Sequence, residues 1–164
     1  MTWLITFNCY GAWLPGDQRG WIERARSTSR GGYHASNPGL RRYSRAIMTQ
    51  EPYLADLRRG RIVLDAIHEV CRFRDWGLIA GHVRTTHVHL VVDGPRDPDR
   101  AILDFKRYAS RALNASGLDP ADRKRWERGG SSRHLVTDAA VSAGVKYVIE
   151  KQGAPMAVYM ISPR

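Results

Sequence analysis

Two apolar, β-branched-rich runs, Trp76–Arg84 (WGLIAGHVR) and His87–Asp93 (HVHLVVD), are separated only by Thr85 and Thr86. Two residues suffice for a tight antiparallel connection and are far too few for a crossover helix. This hairpin is the strongest constraint in the chain, because everything else must be arranged around two antiparallel neighbours. Upstream, residues 2–9 (TWLITFNC) alternate Trp3, Ile5 and Phe7 against Thr2, Leu4, Thr6 and Asn8, the period-two pattern of a third strand. Gly11, Pro15, Gly16 and Gly20 then break the chain into turns, and residues 24–50 show no periodicity and are expected to form a long basic loop, an insertion spanning 19–50 in all.

From Pro52 to Phe73 the period becomes helical, with Leu54, Leu57, Leu64, Ile67 and Cys71 on one stripe. Asp97 and Pro98 start a second helix that runs to about Asn114 and buries Ile102, Phe105, Ala109, Ala112 and Leu113. A short helix over 120–128, a GGSS loop, a helix over 138–151 and a strand over 155–161 complete the expected order. Strand, helix, two strands, helix and a final strand make a ferredoxin-like α+β sandwich. Its antiparallel sheet should be covered by helices on one face, and residues 1–164 should form one domain.

Charge narrows the class of partner. The chain carries 26 Lys and Arg, nearly all of them Arg, against 16 Asp and Glu, for a net charge of +10. Residues 1–50 hold seven arginines and two acids, and 101–164 hold eleven cations and six acids, whereas 51–100 are balanced at eight each. A cationic excess carried by guanidinium forks at both ends of a chain suits a phosphate polyanion. Cys9 and Cys71 form no CxxC site or disulfide framework, no apolar run approaches a membrane span, and MTWLITFNCY lacks a basic leader region. A reduced cytoplasmic setting without membrane contact is therefore expected.

The chemistry concentrates at His87-Val88-His89. Alternation along a strand sends both imidazoles to one face and Val88 to the other. Such a pair can hold a divalent ion if a further ligand arrives from a covering helix, although by itself it is more often structural or solvated. Tyr108 lies on the shoulder of the second helix, where a phenol can pack its ring and expose its hydroxyl.

THVHLVV followed by FKRYASRALN resembles the single-tyrosine HUH transposases, in particular the REP-associated tyrosine transposases. TFNCYGAWLPGDQRGW, RDWGLIAGHVRTTHVHLVV and RWERGGSSRHL…YVIEKQG are also similar to that family, so the resemblance covers most of the chain. It implies that His87 and His89 hold a divalent metal, Mg or Mn, at the scissile phosphate of single-stranded DNA, and that Tyr108 attacks to leave a 5′-phosphotyrosine and a free 3′-OH. Family members recognise DNA hairpins. That would suit Arg19, Arg41 and Arg42 in the basic loop, with Lys106, Arg107 and Arg111 beside the tyrosine holding phosphate or forming a solvated helix face.

The third ligand of related enzymes lies one turn after the tyrosine, where this chain has Ala112; Asp104, Asn114, His134, Glu150 or Gln152 could substitute. The alternatives are a hairpin-DNA binder with a weak or inactive site and an RNA-binding ferredoxin-like domain. Aromatic pairs expected of the latter are missing from the 76–93 hairpin. Trp13 or Trp21 could stack on bases, His34 and His68 read as solvated, and His82 reads as cross-strand packing. A homodimer sharing the tyrosine between subunits is compatible with the same residues.

Overall fold

The computed structural model describes residues 1–22 and 32–161. The elements in chain order are β1 (Thr2–Asn8), β2 (Trp21–Ile22), β3 (Tyr33–His34), α1 (Pro38–Ala46), α2 (Leu57–Phe73), β4 (Gly77–Val83), β5 (His87–Asp93), α3 (Pro98–Ser116), β6 (Ser131–Leu135), α4 (Asp138–Glu150) and β7 (Ala157–Met160). Five strands form one sheet in the order β6-β1-β5-β4-β7, antiparallel throughout. The succession β1-α2-β4-β5-α3-β6 with β1 and β5 central is the expected ferredoxin-like α+β sandwich, extended by β7 along the free edge of β4.

The alternating pattern sorts side chains between two cores. On the first face Ile5, Phe7, Val88, Leu90 and Val92 meet Val63, Ile67 and Val70 of α2 and Ile102, Phe105, Ala109 and Leu113 of α3, all buried. On the second face Leu4, Ala80, Val91 and Leu135 meet Ala140, Val141, Val145 and Val148 of α4. Helices thus lie on both faces rather than one, because the strands carry enough apolar residues on their second face to require a cover. Gly144 lets α4 approach closely, since a Cβ there would meet Leu135 at 3.0 Å.

Local departures from the expected elements have identifiable causes. Helix α2 starts at Leu57 rather than near Pro52. The backbone N–H groups of Tyr53 and Ala55 donate to Tyr10 and Thr85, and Asp56 caps the helix by accepting from Arg59. The basic loop contains α1, begun by the Asn37 cap and Pro38, and Trp21–Ile22 pairs with Tyr33–His34. Residues 120–128 form no helix: Asp119 accepts from Tyr53, Arg59 and Arg125, and Cys9 bridges Trp126. The GGSS segment instead leads into β6, whose Ser131 and Ser132 pair with Thr6 and Ile5 at the sheet edge. Among the described residues no helix is long and apolar enough to cross a membrane.

The Asp119 cluster fastens the 117–127 segment to α2. The carboxylate and the Arg125 guanidinium are 7% and 2% exposed, and the ring of donors holds the carboxyl below its ordinary range against the opposing effect of burial. Removing one partner of a buried pair leaves the other charge uncompensated. Asp119→Ala is expected to lower unfolding free energy in urea by about 3–5 kcal/mol, and a loss below about 1 kcal/mol would show the cluster to be solvated.

Candidate active site on the second sheet face

Register builds the site. Asn8 pairs with His87 across β1 and β5, and Arg84 donates its backbone N–H to the His87 carbonyl at 2.8 Å from the β4 side. One step inward, His89 is flanked in register by Thr6 on β1 and His82 on β4. Because these positions alternate with core residues, an amide, an imidazole and a guanidinium form one row, and a hydroxyl and two imidazoles form the next. The His87 and His89 ring centroids are 4.7 Å apart.

Each of the two imidazoles is oriented by a hydroxyl. Thr6 Oγ1 lies 2.7 Å from His89 Nδ1, and Thr86 Oγ1 lies 3.0 Å from His87 Nδ1. In the tautomer that donates from Nδ1 to these oxygens, both Nε2 lone pairs remain for a ligand. Burial first, and the neighbouring His87 second, depress His89 from 6.5 to about 4. Burial also pushes His87 down, with Arg84, His82 and Arg19 adding to the shift while the nearby Gln152 side chain opposes it. The pair is therefore neutral at ordinary pH, as metal ligation requires.

The residues that meet this pair come from the end of α4. The Tyr147 ring stands edge-on to His89 with centroids 5.4 Å apart, and its side chain faces solvent. Gln152, just past the helix, lies close enough to both imidazoles to oppose their depression, and it donates its Nε2 to the Tyr147 carbonyl at 3.2 Å. That donation leaves the amide oxygen without a role in holding the turn and able to serve as a ligand. The negative end of the α4 dipole points the same way and favours a cation there. Among the described residues no three His, Cys, Asp or Glu side chains cluster as a metal site. Two imidazole nitrogens and an amide oxygen nevertheless make a mixed N/O donor set suited to Mn²⁺ or Mg²⁺ when substrate oxygens complete the shell.

The structure separates the sequence-derived candidates. Tyr108 packs against the first-face core with the Arg111 guanidinium 4.9 Å over its ring, so the whole sheet lies between it and the histidines. Arg107 and Arg111 are exposed on that same helix, and Ala112 faces the same core. Lys106 is not a surface phosphate contact: it is buried, donates Nζ to the carbonyls of Glu127 and Gly129, and lies over Phe7. Of the alternative third ligands, Asp104 is buried against Arg74, Asn114 lies exposed on α3, His134 stacks on Trp3, and Glu150 faces Lys146. Gln152 alone reaches the pair.

Arg19 is held by Asp17 and Trp13 and is close enough to His87 to depress it, whereas Arg41 and Arg42 stand exposed on α1 with Arg45. His34 stacks on Trp21 rather than standing in solvent, and His68 contacts Tyr159. Sequence reasoning overlooked Tyr147, Thr6, Asn8 and Arg84. The signal for the first was present in YVIEKQG, a tyrosine five residues before Gln152 at the end of a helix.

No protein-family model matches the chain, and no curated protein matches it. Among solved structures, a chain described as a REP-associated tyrosine transposase bound to a REP hairpin aligns over 92% of this chain, with 16% identity and a TM-score of 0.48. The present chain spans 65% of the length of that one.

Because both imidazoles ionise below 6.5, the folded protein binds fewer protons than the unfolded chain once pH falls below that value. Stability contributed by the neutral pair is complete above pH 6.5 and is lost as pH drops toward about 4. The thermal midpoint should fall between pH 7 and 4.5, and His89→Gln should shrink that fall. An equal fall in the variant would contradict this assignment.

Proposed function

We propose that the chain is a divalent-metal-dependent enzyme that nicks and rejoins single-stranded, hairpin-forming DNA, a tyrosine transposase with Tyr147 as nucleophile. The observation that carries this reading is the contact of a solvent-facing tyrosine with a neutral His87–His89 pair backed by Gln152. His87, His89 and Gln152 would hold the ion, which when bound supplies Lewis-acid polarisation of the scissile phosphate. The Tyr147 oxygen forms a bond to phosphorus as the bond from phosphorus to the 3′ oxygen breaks. The phenol proton is lost, the departing oxygen gains one, and the products are a 5′-phosphotyrosine and a 3′-OH. A later 3′-OH reverses these bonds and rejoins the strand.

Arg84 and Arg19 supply positive charge next to His87, where the phosphate would lie, and Asn8 offers an amide in the same row. The exposed arginines of α1, Arg41, Arg42 and Arg45, suit the duplex stem of a hairpin. All members of the proposed site belong to one chain, so the reaction would need no second copy. The absence of a ligand atom at Ala112, which favoured an inactive binder, carries no weight once α3 is seen to lie on the other face.

Incubation with Mn²⁺ and hairpin oligonucleotides from the flanks of its own gene should give a covalent protein–DNA adduct on a denaturing gel. Tyr147→Phe and His87→Ala should abolish the adduct, and Tyr108→Phe should retain it. An adduct lost with Tyr108→Phe but kept with Tyr147→Phe would refute the assignment. Replacing Arg41 and Arg42 by Ala should weaken hairpin binding without changing base preference and reduce the salt slope by about 2. An unchanged slope would remove α1 from the interface.

A further inference from the structure

His82 lies beside the His pair, yet it is fully buried and presents neither ring nitrogen to the site. Its Nδ1–H donates to the Val148 carbonyl at 3.0 Å, and its Nε2 accepts the Met156 backbone N–H at 3.2 Å. Only one neutral tautomer satisfies both bonds, and together they use the whole hydrogen-bonding capacity of the ring. The two partners are informative. Val148 follows Tyr147 in the last turn of α4, where carbonyls lack helical donors, and Met156 ends the 151–156 segment that carries Gln152 into β7. The Tyr147 carbonyl is taken by Lys151 N–H and by Gln152, and His82 is the β4 residue, among the described residues, whose side chain hydrogen-bonds to that turn, while Arg84 beyond the strand donates to the Ala154 carbonyl farther on.

We propose that His82 is a positioning residue that holds the α4 terminus in register with β5, setting the Tyr147 ring and the Gln152 amide against His87 and His89. The inference rests on the functional reading above for its kinetic consequence but not for its geometric one. β4 and β5 are fixed by pairing that brings His82 and His89 into register. A rigid imidazole from one strand to the Val148 carbonyl therefore transmits the sheet's position to the turn bearing the tyrosine. Without it, α4 is kept in place by its small apolar face, which fixes its distance from the sheet but allows sliding and rotation by about 1 Å, enough to misplace a nucleophile.

The test uses the full chain with His82→Phe, which fills the space but makes neither bond, and His82→Asn, which keeps a donor for the Val148 carbonyl. His82→Met repeats the first comparison should H82F not fold. Two readouts are taken: the nuclear Overhauser contact between the Tyr147 and His89 rings without DNA, and the single-turnover rate of adduct formation with hairpin affinity measured alongside. H82F or H82M should lose the ring contact and slow adduct formation about 10- to 100-fold, with hairpin affinity unchanged and H82N recovering part of both losses. A folded H82F or H82M that keeps the ring contact and the rate overturns the proposal. If the wild type forms no adduct but H82F still loses the ring contact, the transposase reading fails and the positioning role stands.

Discussion

The close seating of α4 on the second sheet face is the contact on which the site depends. Leu4, Ala80, Val91 and Leu135 present an apolar patch there, and Gly144, Val145 and Val148 let the helix settle directly on it. The same burial that holds the helix removes water from His89, which is why this imidazole is depressed to about 4. Packing and electrostatics are therefore one arrangement: the helix that delivers a tyrosine also renders the two histidines neutral. Its C-terminal end turns a partial negative charge toward the same point.

The two faces divide labour. The first face is closed by α2 and α3 around Phe7, Phe105 and Leu90, and its polar insertions, Lys106 and Asp104, are bound by backbone carbonyls or by Arg74. The second face is only partly covered, and the open end carries Asn8, His87 and Arg84 in a row across three strands. A sheet built this way gives rigid placement to these groups, while the polar ends of the rows remain accessible. Positive charge follows the same plan, with Arg84 and Arg19 near His87 and the α1 arginines farther along the chain.

How much of this was legible in the sequence differs by element. The hairpin, β1 and α3 followed from alternation and capping, signals that belong to neighbouring residues, whereas the final strand of the ferredoxin-like order, expected over 155–161, is β6, and 157–160 adds a fifth strand on the opposite edge. The strand β6 was hidden because SSRHL is an edge strand with four exposed residues and no apolar alternation. The 120–128 segment has helix-compatible composition, but three donors to Asp119, two of them guanidinium groups, fix it as a loop. The histidine pair was readable from its period. Which tyrosine shares a face with the histidines was not, because that requires knowing which face each helix covers, and periodicity reports only that a helix has a buried side. Lys106 shows the same limit: a lysine beside arginines reads as surface, and only the fold reveals carbonyls waiting for it.

The tyrosine proposed to join DNA is that of α4, not that of α3. Tryptic digestion of the covalent adduct separates the two, since cleavage at lysine and arginine releases Tyr147 in residues 147–151 and Tyr108 in residues 108–111. Mass spectrometry of the nuclease-trimmed adduct should find the nucleotide mass on YVIEK, with YASR unmodified. A nucleotide on YASR would contradict the account, because it would require α3 to reach a site from which the whole sheet separates it.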